Sequence, residues 1–415
     1  MYPKRYFPFV MTAFKLGGVY DSDHTNGFWK YFFKFYNVFL FLLCPIYYTI
    51  VELVMLYYTK KSLYMFIDHI GMMFVHWAGN MKTVLLLLNR QKIKDVMGVL
   101  KDQRFHYEDF EDFRPGNILQ NHFKFNEIFC RIFMFTATLV PISNQISALK
   151  LFIVEGHSID AGNMTCQDIL PYYCWFPFET ETYESCRYAF LFQTVPMILF
   201  VYLITAFDIA FSYFASYLRA HFLCIRGAFS TFRERCLVRL NLPTDYELLK
   251  DSQHPKLEME IKTEVRKITH HLQVIIRLHD ELKSFYSIPL LIQAMSIVGI
   301  LISCLYIISL EPLFSAEAYA RFQYALGLFF QLSLYCFQGS EITNAALSVA
   351  DGIYEANWYS CTKSVKTTMM INMMRMQRKV EFTVGKFAPL NMSTYVKILK
   401  GSYTYYTFLS QKKIN

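Results

Sequence analysis

Ionisable side chains fall inside the apolar runs of this sequence, among them Glu52, Asp68, His69, His76, Lys82, Lys150, Asp208 and Glu341. A charge at bilayer depth is costly, so such residues are held by partners or placed for function. Lys82 and Asp208 have opposite sign and lie in the inner halves of their runs, where they can pair between helices or snorkel to the interface. His69 and His76 stand one heptad apart on one helix face, but no third ligand lies at matching depth and no metal is expected. His270 and His271 read as part of a solvated helix face. No GxSxG, HExxH, P-loop or DxD-type constellation is present, so neither an enzyme nor a cofactor is indicated.

Those residues need a membrane to make them costly, and composition supplies it. Of 415 residues, 54% are hydrophobic and 18% charged, against about a quarter charged in soluble domains. The apolar residues collect in runs near the ~20 residues that span a bilayer. Spans are expected over 35–59, 64–89, 127–154, 187–216, 288–311, 321–350 and 389–411, the last being weak on hydropathy. The fold class is all-α, a polytopic membrane protein with seven transmembrane helices. Its net charge of +8 is then a topology signal and not a nucleic-acid footprint. The first 34 residues, broken by Pro3, Pro8 and Gly17-Gly18, do not read as a cleavable signal peptide.

Lysine and arginine set the orientation. The N-terminal tail carries Lys4, Arg5, Lys15, Lys30 and Lys34, and the loop after the second span runs from Arg90 to Lys124 with seven cations. The loop after the fourth span is the most basic, whereas residues 155–186 have no Lys or Arg but six carboxylates. This predicts a cytoplasmic N-terminus and, after seven spans, an extracellular C-terminus; Lys60 and Lys61 run against the trend. The sequon at Asn163 falls in the acidic outer loop and is a glycosylation candidate, while the one at Asn391 falls on the inner edge and is expected to be silent. Cys166, Cys174 and Cys186 lie in or beside that oxidising loop, so one disulfide is expected, its pairing open.

The long inner loop has helical periodicity. Leu257, Ile261, Val265, Ile268, Leu272, Ile275 and Leu278 recur at steps of three and four, and Val365, Met369, Met373, Met376 and Val380 repeat the pattern before the last span. Two such helices either lie on the membrane surface or pack into a cytoplasmic bundle that also joins subunits, a role that suits adaptable Met-rich faces. The final segment carries another pattern. Lys397, Gly401, Thr404, Phe408 and Gln411 form one stripe, with Ile398, Leu399, Tyr403, Tyr406 and Leu409 off it. Facing lipid, the lysines of this segment cost several kcal/mol. Around a water-filled axis, a polar stripe with an aromatic constriction makes a gated pore; the other reading is a helix buried among the remaining six.

The same C-terminal region resembles the insect odorant receptor family, specifically a ligand-tuned subunit. The resemblance is carried by Tyr335-Cys336, Gly339-Ser340-Glu341, Ala350-Asp351-Gly352-Ile353-Tyr354-Glu355 with Trp358-Tyr359, Gly385-Lys386-Phe387, Pro389-Leu390 and Ser402-Tyr403-Thr404-Tyr405-Tyr406-Thr407. In the outer loop it is carried by Leu170-Pro171-Tyr172 and Trp175-Phe176-Pro177-Phe178. Length and topology agree over the whole chain.

The resemblance implies a tetrameric, ligand-gated, non-selective cation channel, formed with a shared odorant receptor co-receptor in the plasma membrane of olfactory sensory neuron dendrites. It divides the chain into a cytoplasmic segment 1–34, helices one to six over 35–350 with a helical inner loop 217–287, a cytoplasmic anchor 351–388 and a pore-lining helix with the extracellular C-terminus over 389–415. It places the outer constriction on Phe408 and Lys412, where an apolar residue in place of the lysine is expected of the co-receptor. It implies a pocket for a small volatile ligand in the outer half of the bundle. The candidates there are Ile70, Met73, Phe74 and Trp77; Ser143, Asn144 and Ser147; Phe190, Gln193, Thr194 and Met197; and Tyr324, Leu328 and Gln331.

A gustatory-type channel subunit shares these features, and the aromatic Trp175-Phe176-Pro177-Phe178 loop favours the olfactory branch. A G-protein-coupled receptor places its N-terminus outside and carries an NPxxY-like motif that the last span lacks. A transporter predicts internal repeats, which are not seen.

Overall fold

The computed structural model describes residues 7–19, 27–162, 164–243, 251–310, 312 and 315–411, so Asn163 and Lys412 lie outside the described residues. The described chain is almost wholly helical. In order come α1 (Pro8–Leu16), α2 (Phe28–Phe41), α3 (Thr49–Thr59), α4 (Leu63–Leu88), α5 (Arg90–Leu100), α6 (Pro115–Glu155), α7 (Cys166–Ile169) and α8 (Tyr183–Ser230). Then follow α9 (Phe232–Arg239), α10 (Pro255–Leu310), α11 (Ala316–Glu355), α12 (Lys363–Met376) and α13 (Met392–Gln411). A two-residue hairpin, β1 (Thr383–Val384) with β2 (Ala388–Pro389), links the last two helices.

The first span is α2 and α3 joined through a π-helical segment, Leu42–Tyr48. Pro45 sits in that segment, where its missing N–H breaks the regular ladder and a wider turn absorbs the defect. Among the described residues, five helical stretches are long and apolar enough to cross a membrane: 28–59, 63–88, and those containing α6, α8 and α10. The expected sixth and seventh spans are α11 and α13. Gln323, Gln331 and Gln338 in one, and Lys397 and Lys400 in the other, dilute their hydropathy.

Three helices greatly outrun the expected spans. α6 begins at Pro115, α8 runs on to Ser230, and α10 is one helix of 56 residues. At ~1.5 Å per residue, α10 is roughly 84 Å long, far more than the ~30 Å hydrocarbon core. Hydropathy marks the part of a helix that lipid covers and is blind to the part that protein covers.

α8 is the axis of the fold. Every residue from Thr205 to Leu218 is buried, as only a helix enclosed on all sides can be. It packs against α1, α4, α6, α10 and α11. Beyond the bundle, α9, the first half of α10 and α12 pack together, with Leu257, Ile261, Val265, Ile268, Leu272, Val365, Met369 and Met376 all inside. The bundle arrangement holds for both periodic segments. Arg235 donates to Glu264 at 2.7 Å with both side chains buried, and Arg239 reaches Glu108, Glu260 and Glu264.

α13 lies at the edge, against α10 and α11. Gly339 makes its approach possible, because a Cβ there would stand 2.1 Å from the Leu390 carbonyl oxygen. Next to it, the Ser340 hydroxyl accepts the Met392 N–H at 3.1 Å, and Glu341 pairs with Arg219 of α8. Gly339 and Ser340 therefore seat the last helix, while Glu341 ties α11 to α8.

Candidate functional site

A cavity of about 130 Å³ lies among α4, α6, α8 and α11. A cavity needs only ~10–15 Å³ by this measure to hold one water, so this one has room for a small organic molecule. Its wall is mostly apolar, with Met72, Val75, Phe133, Ala137, Val140, Met197, Phe200, Ile204 and Leu328. The polar groups in it are few: His76, Thr136, Asn144, Tyr172, Thr205, Tyr324 and Gln331. Pro141 is also in the wall and has no N–H to give the Ala137 carbonyl four residues earlier, so that carbonyl lacks its usual helical donor.

Of the residues expected from sequence, Asn144, Met197, Tyr324, Leu328 and Gln331 line this cavity. Ser147 lines a second hollow of about 480 Å³, which shares Met72, Asn144 and Tyr324 with the first and also takes in Lys150 and Arg321. The rest lie elsewhere. The Ser143 hydroxyl donates to Gln323 at 2.8 Å, and Thr194 donates to the Phe190 carbonyl and stands 2.9 Å from Gln145 Oε1. The Phe190 ring stacks on Phe152. Gln193 donates to the Tyr172 carbonyl at 2.7 Å, which holds the outer-loop Tyr172 over the cavity. On α4, Ile70, Met73, Phe74 and Trp77 do not line this cavity: Met73 is buried outside it, Phe74 lies against Gly299, and Trp77 is 43% exposed. The lining face is Met72, Val75 and His76. His76, an intramembrane ionisable group, is part of that face.

Below the cavity is a buried polar network. Lys82 Nζ donates to Asp208 Oδ1 at 2.6 Å, and Gln331 Nε2 donates to Asp208 Oδ2 at 2.6 Å. The Tyr335 hydroxyl also donates to Asp208, and Gln293 Nε2 donates to Gln331 Oε1 at 3.1 Å. Interhelical pairing, not snorkelling, is the fate of Lys82 and Asp208. Glu52 is partnered with His76, Asp68 with Arg321 at 2.7 Å, and His69 with the Thr59 hydroxyl at 3.1 Å, while Lys150 is exposed. Among the described residues no cluster of three metal-ligating side chains occurs.

The network reaches the last helix. Gln293, Leu290, Ala294 and Tyr335 surround a small space whose other wall is Ile398 of α13. α13 buries Thr394 and Ser402 and half-buries Ile398, at steps of four, while Lys397 and Thr404 are exposed. Gly401 has nothing within 4 Å of where a Cβ would be. Lys397 and Thr404 therefore face away from this chain's own bundle, and α13, which packs mainly on α10 and α11, is not enclosed by the other six among the described residues. Phe408 and Gln411 continue the helix, and Lys412 lies outside the described residues. In the loop region Cys166 is bonded to Cys186, and Cys174 is a buried free thiol.

A family model, 7tm Odorant receptor, matches residues 62–403. The chain belongs to this family. Among curated relatives, Odorant receptor 22c of Drosophila melanogaster is 24% identical over 287 residues, covering 65% of this chain and 69% of that one. Odorant receptor 67c of the same species is 30% identical over 79 residues, 19% of this chain and 20% of the relative. Odorant receptor 23a of that species matches over 36% of its length. Two of these three relatives are thus matched over well under two thirds of their length. The olfactory receptor OR5 of Machilis hrabei, solved in complex with eugenol, superposes with a TM-score of 0.77 at 15% identity, over 98% of this chain and 97% of that one. This receptor chain shares that all-α fold.

Proposed function

We propose that this chain is an odorant-gated, non-selective cation channel subunit that works with a shared co-receptor, its N-terminus cytoplasmic and its C-terminus extracellular. The observation that carries the reading is Gln331. It lines the cavity and also donates to Asp208 in the network whose Tyr335 abuts the space under α13. A ligand that turns the Gln331 amide exchanges a hydrogen bond to a charged group, worth ~1.5–3 kcal/mol. That matches the ~1–3 kcal/mol by which sites are ordinarily coupled.

A mostly apolar cavity with a few placed polar groups suits a small volatile ligand, and the eugenol complex of the Machilis hrabei receptor supports this class. The exposed Lys397 and Thr404 on α13 support a pore completed by other subunits. Met370, Ile371 and Met374, all at least half exposed on α12, offer the bundle an apolar face for assembly. The family match and the aromatic outer loop favour the olfactory branch over the gustatory one, and a plasma-membrane site in olfactory dendrites follows from that reading. The test is electrical recording from cells expressing the chain with and without the co-receptor. Odorant-evoked cation current that needs both is expected; silence with both at the surface overturns the reading.

A further inference from the structure

α3 and α4 are joined side by side by three polar rungs. The Thr59 hydroxyl meets His69 Nδ1 at 3.1 Å, Glu52 pairs with His76 Nδ1, and Asn80 donates to the Thr49 hydroxyl at 2.6 Å. The outer two rungs use a hydroxyl with an imidazole or an amide. The middle one uses a carboxyl group only 2% exposed, whose second oxygen is buried without a hydrogen-bond partner among the described residues. A half-satisfied carboxylate is a costly way to join two helices, and a hydroxyl does the same work one turn away. Of these six side chains, His76 alone lines the ligand cavity.

A carboxylate only accepts, so the hydrogen of the Glu52–His76 bond sits on Nδ1, and Nε2 keeps a lone pair. Nε2 has no hydrogen-bond partner among the described residues. The ring is held edge-to-face by Tyr48 at 5.5 Å and Phe200 at 4.7 Å, and turning it over would break the bond to Glu52. Other polar groups of the wall already donate inside the protein: Thr136 to the Phe133 carbonyl, Thr205 to the Val201 carbonyl and Gln331 to Asp208.

We propose that Glu52 and His76 act as one unit that makes the cavity select ligands carrying a hydroxyl, alcohols or phenols, whose O–H donates to His76 Nε2. This rests on the cavity being the odorant site proposed above. His76 touches the ligand, and Glu52 is a positioning residue that fixes the ring and strengthens Nε2 as an acceptor. Glu52 itself does not line the cavity, so a cationic ligand is not what the pair is built to meet.

The test uses three probes of one skeleton. 1-Phenylethanol donates and accepts, acetophenone only accepts, and ethylbenzene does neither. Equilibrium binding of each is measured on the full-length chain in lipid discs, with empty discs subtracted. Wild type is expected to bind 1-phenylethanol about tenfold more tightly than either of the others, the equivalent of about 1.4 kcal/mol. His76→Phe keeps a ring in place and should erase the preference. Glu52→Gln still accepts from Nδ1 but lacks the charge, and should leave an intermediate preference. A purely structural role would move all three affinities together and leave their ratios unchanged. Should His76→Phe not fold with Glu52 stranded, His76→Phe combined with Glu52→Leu takes its place. Equal binding of the probes by wild type, a preference for acetophenone, unchanged ratios in the His76 variant, or no binding of 1-phenylethanol overturns the proposal. The readout needs no current, and currents evoked by other odorants would stand whatever its result, so its failure is separate from failure of the channel reading.

Discussion

Replacing Lys82 by Met removes the cation from the network at the centre of the bundle. Lys82 and Asp208 are both fully buried, and Asp208 accepts from Lys82, Gln331 and Tyr335. Without the ammonium, a carboxylate is left deep in the bundle with two neutral donors. Breaking a buried pair on one side costs about 3–5 kcal/mol, or roughly two to three and a half decades in the folding equilibrium. Asp208→Asn added to Lys82→Met removes the stranded charge and keeps an oxygen for Gln331 and Tyr335. The double variant should recover most of the loss, giving a coupling of about 2–3 kcal/mol, near the top of the range for residues in contact. The assay is a detergent-denaturation cycle on the purified chain, with the two single variants and the double variant read by helical content. A Lys82→Met loss below ~1 kcal/mol, or a double variant as unstable as the sum of the singles, refutes the account of the network as a mutually dependent unit.

Three further outcomes follow. A cysteine at Thr404 on the exposed stripe should be reached by a charged thiol reagent and change the current, while one at buried Ser402 should not; equal effects contradict the pore-facing assignment. Cys166→Ser opens a loop closed by residues 20 apart, so a loss of about 3 kcal/mol is expected, together with weaker ligand sensitivity because that loop presents Tyr172; unchanged unfolding and dose–response count against it. Burial, then the nearby Lys267, holds the His106 imidazole below its ordinary value. The folded state thus favours neutral His106, and its contribution is present above the unfolded pKa of ~6.5 and lost as pH falls below it. His106→Gln should flatten that acid-side loss in a thermal-unfolding series, and an unchanged pH profile contradicts the burial argument.

Helix positions were legible because apolar runs and helical periodicity report burial directly. Lys82 and Asp208 were legible as a pair for a related reason: opposite charges at similar bilayer depth have few alternatives to each other. The lengths of α6, α8 and α10 were not, since helix shielded by protein needs no lipid-grade hydropathy. The cavity was half legible. Of the candidates on α11, Tyr324, Leu328 and Gln331 line the cavity, whereas on α8 its wall lies deeper, at Met197, Phe200, Ile204 and Thr205. On α4 the cavity is lined by Met72, Val75 and His76, one face round from the candidates Ile70, Met73, Phe74 and Trp77. Tyr172 went unnamed as a lining residue because it arrives from a loop, and helical spacing cannot say where a loop folds back.

The central claim is that the cavity controls the pore, and Gly327 allows it to be tested with little collateral change. Gly327 lines the cavity, and a Cβ there meets only Val140 at an ordinary 3.7 Å. Gly327→Leu therefore projects a side chain into the space where ligand is proposed to bind. The measurement is the odorant dose–response of cation current in cells carrying this chain and the co-receptor, with surface expression quantified alongside. The account predicts a response abolished or shifted to much higher concentration at unchanged surface level; a dose–response identical to wild type contradicts it.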